Sequence, residues 1–255
     1  MKKIAGPDFL TKIIELECTG STNTYAGELL KAISTQQEGT VIWAHQQTKG
    51  KGLGDNTWTS EPGLNLTFSL VLRPLFLPPD RQFMLNKTIA LGVLDFAVAQ
   101  GIPDECRLKW PNDIYAGKNK LAGILINNTI SGSEYSSAIT GIGFNVNQSV
   151  FDPTLPNPVS LKMLCGRSFS LKACLLDLLL CLSARYDQLR TGYEQELDEA
   201  YQKSLLGYGQ NRYFTESGRR IEAKIAGVDD FGRLILDIDK EGCRIFSHKE
   251  VEYIL

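Results

Sequence analysis

Histidine is almost missing from this chain: His45 and His248 are the two in 255 residues. A metal centre built on several imidazoles is thereby excluded. The six cysteines, Cys18, Cys106, Cys165, Cys174, Cys181 and Cys243, never form a Cys-x-x-Cys pair, which removes the common zinc and dithiol motifs. Cys174 and Cys181 fall on one face of a predicted helix, and all six read as free thiols of a reducing cytosol. Positive charge is not in excess either. Twenty-seven Lys and Arg against 29 Asp and Glu leave a net charge of −2, so no global field draws the chain to nucleic acid. The longest apolar run, Cys174–Leu182, is broken by Asp177 and falls far short of the roughly 20 residues that span a bilayer. Residues 1–8 hold no apolar segment of the kind a signal peptide needs. The expectation is a cytoplasmic protein with no nucleic-acid or membrane partner.

What is present is an ordinary globular composition, 43% hydrophobic and 22% charged, over a length that suits one large domain plus a small one. Lys12–Glu17 reads as a strand. Ser21 or Thr22 caps a helix with Tyr25, Leu29 and Ile33 on its apolar face. Thr40–His45 is a second strand, followed by a Gly-rich loop over Lys49–Asn56. Residues 64–73 alternate as a strand does in a sheet. Pro78-Pro79-Asp80 opens a helix bearing Leu85, Ile89, Val93, Phe96 and Ala97, which Gly101 ends. A hairpin and a further strand, Tyr135–Val146, come next, then a loop with three prolines over Asp152–Pro158. Ser170 caps a helix whose stripe, Leu171, Leu175, Leu178, Leu179, Leu182, Tyr186 and Leu189, is core. Another helix runs from Glu194 to Leu206. After Gly207 the pattern turns to short β-type runs, Asn211–Thr215, Arg220–Val228, Leu234–Ile238, Cys243–Ser247 and Val251–Leu255, split by Gly-containing turns. The fold class is α+β, with a main domain over 1–206 and a small β domain over 207–255.

The unusual segment is Lys109-Trp110-Pro111-Asn112-Asp113-Ile114, followed by Lys120-Leu121-Ala122-Gly123-Ile124-Leu125. It reads as two short strands joined by a turn at Ala116-Gly117-Lys118-Asn119. Lys109, Asn112, Asp113 and Lys120 are polar in a hairpin that otherwise looks buried, which is costly unless they bind one another or a ligand. Three further segments stand out. Ser21-Thr22-Asn23 offers hydroxyl and amide groups at a helix start. Gly50-Lys51-Gly52-Leu53-Gly54-Asp55-Asn56-Thr57-Trp58 is a loop whose backbone can close on anionic oxygens. Gly141-Ile142-Gly143-Phe144-Asn145-Val146-Asn147 puts glycines inside a strand, which weakens it unless something must approach the backbone.

These four segments, in this order, resemble those of the biotin protein ligases. The resemblance is close from Ser21 to Asn147 and looser in the tail. It implies a mixed sheet packed on helices, the class II synthetase-like catalytic fold of biotin and lipoate ligases, with a C-terminal SH3-like barrel. It implies an ATP-dependent reaction that makes biotinyl-5′-AMP and then biotinylates a lysine of a biotin carboxyl-carrier protein or domain. By the same resemblance Ser21, Thr22, Asn23, Gln47, Gly50, Lys120 and Gly123 hold biotin. Lys51, Gly52, Leu53, Trp58, Asn112 and Asn145 hold the nucleotide, Trp58 by stacking on adenine and Asn145 by reading its edge. Lys120, Lys51 and Asp113 are the expected catalytic groups, and Asp113 also the expected ligand of Mg²⁺. Lys51 stands where arginine is usual, which keeps a charge but loses the bidentate fork.

Two neighbouring activities differ in sequence. A lipoate ligase or octanoyl transferase of the same fold would show an Arg-Arg-x-x-Gly-Gly-like segment, and none is present. The transferase also needs an activated cysteine, and Cys165, the loop candidate, has no activating neighbour. Twenty residues precede Ser21, too few for the DNA-binding domain of the bifunctional repressors, so a monofunctional ligase is expected. Monomer and homodimer both occur in the family, and both stay open. No residue declares itself as the base for the acceptor lysine.

Overall fold

The computed structural model describes residues 12–32, 38–102, 105–132 and 134–255. Seven strands, β1 (Lys12–Thr19), β2 (Thr40–Gln47), β3 (Leu66–Leu72), β4 (Cys106–Lys109), β5 (Asp113–Ala116), β6 (Asn119–Ser131) and β7 (Glu134–Phe144), form one sheet in the order β1-β2-β3-β7-β6-β5-β4. β1 and β2 are parallel, and every other neighbouring pair is antiparallel. A parallel pair needs a crossover, and α1 (Thr22–Ala32) supplies it.

The alternation in β3 does not mark a solvent face, because all seven of its residues are buried. Leu66, Phe68, Leu70 and Leu72 enter the large core. Val71 joins Ala26, Ile42 and Ile139 in a small cluster under α1. Ser69 and Thr67, on that same face, satisfy their hydroxyls locally. The expected apolar face of α1 is corrected here. Its buried residues are Thr22, Asn23 and Ala26, while Tyr25 and Leu29 are half-buried; Ile33 lies outside the described residues. The helix turns small polar groups inward because they serve the cavity described below.

The second layer holds α2 (Gln82–Ala99), entered through a 3₁₀ turn at Pro79–Arg81, and, after α3 (Leu161–Cys165), the helices α4 (Leu171–Arg190) and α5 (Glu194–Ser204). By length and composition Pro79–Ala99 is apolar enough to cross a membrane. Its apolar side chains Leu85, Ile89, Val93 and Phe96 are instead fully buried in the core, as in a core helix. Ser170 caps α4 by accepting the Ala173 N–H at 3.4 Å. The Leu stripe of α4 is buried except for Leu171, which packs on the core's edge. Cys18, Cys165, Cys174, Cys181 and Cys243 are free thiols, as expected, and Cys106 is buried; Cys18 and Cys243 are exposed, and Cys165 ends α3.

The five C-terminal runs are β8 (Asn211–Glu216), β9 (Arg219–Val228), β10 (Leu234–Ile238), β11 (Gly242–Phe246) and β12 (Val251–Tyr253). They form an antiparallel sheet in the order β11-β10-β9-β8-β12. The strand number and order are compatible with an SH3-like unit, but no pairing of β11 with β12 closes a barrel among the described residues. Phe214, Ile225, Leu234 and Leu236 share one apolar cluster with α2 and α4, so the small sheet is packed onto the main layer. Polar ties reinforce this contact. Trp110 Nε1 donates to Gly232 O at 2.8 Å. The buried Lys87 of α2 pairs with Asp198 of α5 and donates to Val228 O at 3.4 Å.

One expectation about the hairpin fails. Lys109 to Ile114 is not a single strand. β4 ends at Lys109, the chain turns through Trp110-Pro111-Asn112, and β5 begins at Asp113, with Lys109 and Asp113 paired across the turn. Pro111 has no N–H to give to a ladder, so it sits where the ladder is interrupted. The expected turn near Gly117 is present between β5 and β6, where Gly117 takes φ +56°.

Candidate active site

A cavity of about 450 Å³ opens where β2, β5, β6 and β7 meet the start of α1 and the Gly-rich loop. Of the residues expected to form a site, Ser21, Thr22, Asn23, Gln47, Lys51, Gly52, Leu53, Trp58, Asn112, Asp113, Lys120, Gly123 and Asn145 all line it. Segments far apart in the chain converge because β7 lies between β3 and β6 and brings its glycines beside the hairpin.

One end of the cavity is a closed polar network. Gln47 Oε1 accepts the backbone N–H of Thr22 at 2.7 Å and its hydroxyl at 3.1 Å. Ser69 Oγ lies 2.7 Å from Thr22 Oγ1 and 2.5 Å from Asn23 Oδ1. Asn23 Nδ2 donates to Leu125 O at 3.2 Å. Gly141 is required here: a Cβ on it would lie 2.3 Å from Asn23 Oδ1. Buried polar groups this well partnered are held in fixed positions, which suits recognition of a ring bearing both donors and acceptors. Ser69 had no sequence signal of its own, since it looked like the polar phase of a strand.

The other end is charged. Lys120 Nζ lies 2.7 Å from Asp113 Oδ1, with the aspartate well covered and the lysine about one-third exposed. The same ammonium sits 5.8 Å from the Trp58 ring centroid. Lys109 faces the rings of Tyr115 and Tyr253 at 5.3 and 5.2 Å. Burial, opposed mainly by the Asp113 charge, lowers its pKa. Burial and the same carboxylate push the Tyr115 hydroxyl up to about 12. With Lys51, the cavity presents three lysines against one carboxylate among the described lining residues. That balance favours a polyanion.

Trp58 lies over β6 and β7. A Cβ on Gly143 would be 2.2 Å from Trp58 Cε2, and one on Gly123 would be 3.2 Å from Cζ3. Both glycines therefore seat the indole. Gly123 also lines the cavity, as expected of a residue beside the ligand. The loop that presents Trp58 is pinned by its own backbone: Trp58 N–H to Gly50 O at 3.1 Å, Gly52 N–H to Asn56 O at 2.8 Å, and a bridge of Lys51 with Thr57. Gly50 is buried under this closure and does not line the cavity, so its part is to let the strands of the loop meet. The indole N–H is buried with no acceptor among the described residues.

Asn112 and Asn145 differ from expectation in how their amides are used. Asn112 Nδ2 donates to Ile124 O at 2.6 Å, which braces the turn on β6. Asn145, nearly fully buried, donates to Val159 O at 3.0 Å and Lys120 O at 3.5 Å. Its NH₂ is thus committed to backbone, and only Oδ1 remains to face a ligand. A resident magnesium site at Asp113 is not built by the protein's own donors. No three His, Cys, Asp or Glu side chains gather for a metal among the described residues, and Asp113 already binds Lys120.

Further lining residues had no sequence signal, among them Tyr115 of β5, Phe151 just before the Pro-rich loop, Leu155 within it, and His248 from the loop between β11 and β12. The His248 ring stands edge-on to Trp110, centroids 6.1 Å apart. Beside it, Lys249 Nζ reaches Asp55 Oδ2 at 3.3 Å, tying the small sheet to the tip of the Gly-rich loop.

Comparison with known proteins follows the same lines. Residues 15–145 match the model of the biotin/lipoate A/B protein ligase family. The bifunctional ligase/repressor BirA of Bacillus subtilis is 31% identical over 92% of this chain and 72% of its own length. The biotin–[acetyl-CoA-carboxylase] ligase of Mycobacterium tuberculosis is 32% identical over 86% of this chain and 81% of its own. The Aquifex aeolicus biotin protein ligase solved with biotin and ATP superposes with a TM-score of 0.77 at 25% identity, covering 96% of this chain and 100% of that one.

Proposed function

The chain belongs to the biotin/lipoate A/B protein ligase family, and from that premise we propose that it is an ATP-dependent biotin protein ligase. The observation that supports this best is the union in one cavity of a closed donor–acceptor network at Thr22, Asn23 and Gln47 with the Lys120–Asp113 pair. The first end suits the ureido ring of biotin. The second suits a triphosphate.

In the first half-reaction the biotin carboxylate attacks the α-phosphorus of ATP, and pyrophosphate leaves with the bonding pair of the P–O bond. Lys120, freed from Asp113, neutralises the charge that builds at the α-phosphate, and Lys51 and Lys109 add to the field. Trp58 offers the adenine a plane, and Asn145 Oδ1 an acceptor for its amino group. Magnesium accompanies the triphosphate as its counterion. In the second half-reaction a lysine amine of a biotin carboxyl-carrier domain attacks the acyl carbon of biotinyl-5′-AMP and AMP leaves. Use of ATP and the free thiols of Cys18, Cys165, Cys174, Cys181 and Cys243 fit a reducing cytosol.

The test is biotin-dependent exchange of pyrophosphate into ATP by the purified chain. Exchange with biotin and not with lipoate is expected. Exchange driven by lipoate alone would replace this reading with that of a lipoate ligase.

A further inference from the structure

The second half-reaction needs a group that the first does not. An amine of ordinary lysine pKa, about 10.4, arrives protonated at pH 7 and must lose a proton before it can attack. The titratable groups lining the cavity are Lys51, Lys109, Asp113, Tyr115, Lys120 and His248. Asp113 is engaged by Lys120. Lys51, Lys109 and Lys120 serve the phosphates as cations, Lys109 packed between the Tyr115 and Tyr253 rings, and a tyrosine with a pKa near 12 holds its proton. His248 is left. It is exposed at the cavity mouth, where an acceptor arrives from solvent, and its ring is braced by Trp110. The other histidine, His45, is bound to Glu15 at 2.7 Å and lies away from the cavity.

We propose that His248, carried to the cavity mouth by the β11–β12 loop, is the base that receives the proton of the acceptor lysine. The proposal rests on the ligase reading above and names a residue that reading does not use. The ammonium of the acceptor gives one proton to an imidazole nitrogen of His248. The freed lone pair forms the C–N bond at the acyl carbon, and the C–O bond to the AMP phosphate breaks with its electron pair. The second amine proton leaves on collapse, to the departing phosphate or to water. Partial covering of the ring, then the Lys249 cation, holds the imidazole below its ordinary pKa, with Lys109 acting the same way and Asp113 and Glu252 opposing. An imidazole of ordinary pKa, about 6.5, is already mostly neutral at pH 7, and these surroundings favour that accepting form. The small sheet thereby contributes a functional group to the second step.

The experiment compares wild type, His248→Gln and His248→Ala in two reactions of biotin and ATP. One ends in transfer to a purified biotin carboxyl-carrier domain. The other ends in capture of the adenylate by hydroxylamine, which is neutral at pH 7 and needs no base. Transfer by both variants is expected to fall tenfold or more at pH 7, capture to change less than twofold, and added imidazole to restore transfer by His248→Ala. The wild-type transfer rate should also fall as pH drops through the imidazole pKa, a limb the variants lack. Equal loss in both reactions, or no loss in transfer, overturns the role of His248. Absence of hydroxylamine capture by wild type instead overturns the ligase reading itself.

Discussion

Lys120 Nζ and Asp113 Oδ1 lie 2.7 Å apart on adjacent strands of the sheet, and among the described residues each forms its ion pair with the other alone. The pair keeps a cation positioned but exchangeable: a triphosphate offers more negative charge than one carboxylate and can draw the ammonium to itself. Lys120→Ala is therefore expected to reduce biotin-dependent pyrophosphate exchange by about 100- to 1,000-fold, the range for loss of one preorganised electrostatic contact. The far-UV circular dichroism should be unchanged. An exchange rate within a few-fold of wild type would remove Lys120 from the chemistry.

Gly143 and Trp58 are in contact with no room for a methyl group. Gly143→Ala must shift the indole or bend β7, a misfit of about 1–3 kcal/mol. If Trp58 forms the adenine platform, the KM for ATP should rise by about tenfold or more while the KM for biotin stays near wild type. Gly20→Ala is the control, because nothing lies within 4 Å of a Cβ at that position. A parallel rise in both KM values would show that β7 as a whole had moved.

The Trp110 indole N–H bonded to Gly232 O is one of the polar ties between the hairpin and the C-terminal sheet. Trp110→Phe keeps most of the buried ring but leaves that carbonyl without its donor. A loss of about 1–3 kcal/mol is expected, seen as a fall in Tm of about 2–4 °C per kcal/mol for a chain of this size. Calorimetry decides, and an unchanged Tm would mean that the packing holds without the bond.

Burial raises the pKa of Tyr115, Tyr135, Tyr186, Tyr201 and Tyr253. Each keeps its proton in the folded state after the unfolded chain, with tyrosine pKa about 10, would lose it. Their contribution is complete below pH 10 and declines as pH rises above it, by up to about 1.4 kcal/mol per unit for each fully buried tyrosine. Stability should begin to fall near pH 9, where the buried Cys174 and Cys181 thiols keep protons that the unfolded chain gives up, and the fold should collapse cooperatively above pH 10. Tyrosinate absorbance and circular dichroism should change together; ionisation of all tyrosines with the fold intact would contradict the burial described here.

The residue types and spacing in the chain determined a great deal. The strands, the long helices and the stripe of α4 follow from apolar periodicity, which is local. So do the four polar or glycine-rich segments, because polar groups and strand glycines stand out against a buried background. The order of strands in the sheet was not legible, since pairing β7 between β3 and β6 depends on contacts between residues far apart in the chain. For the same reason Asn145 looked free to read a base, while its NH₂ is spent on Val159 and Lys120 carbonyls that only the folded chain brings near. Gly123 and Gly143 announced a close approach, but the tertiary structure decided that the approaching group is Trp58. His248 sits among exposed residues of the loop between β11 and β12, with no motif around it. Packing the C-terminal sheet against Trp110 is what turns it toward the cavity, and no local pattern encodes that meeting.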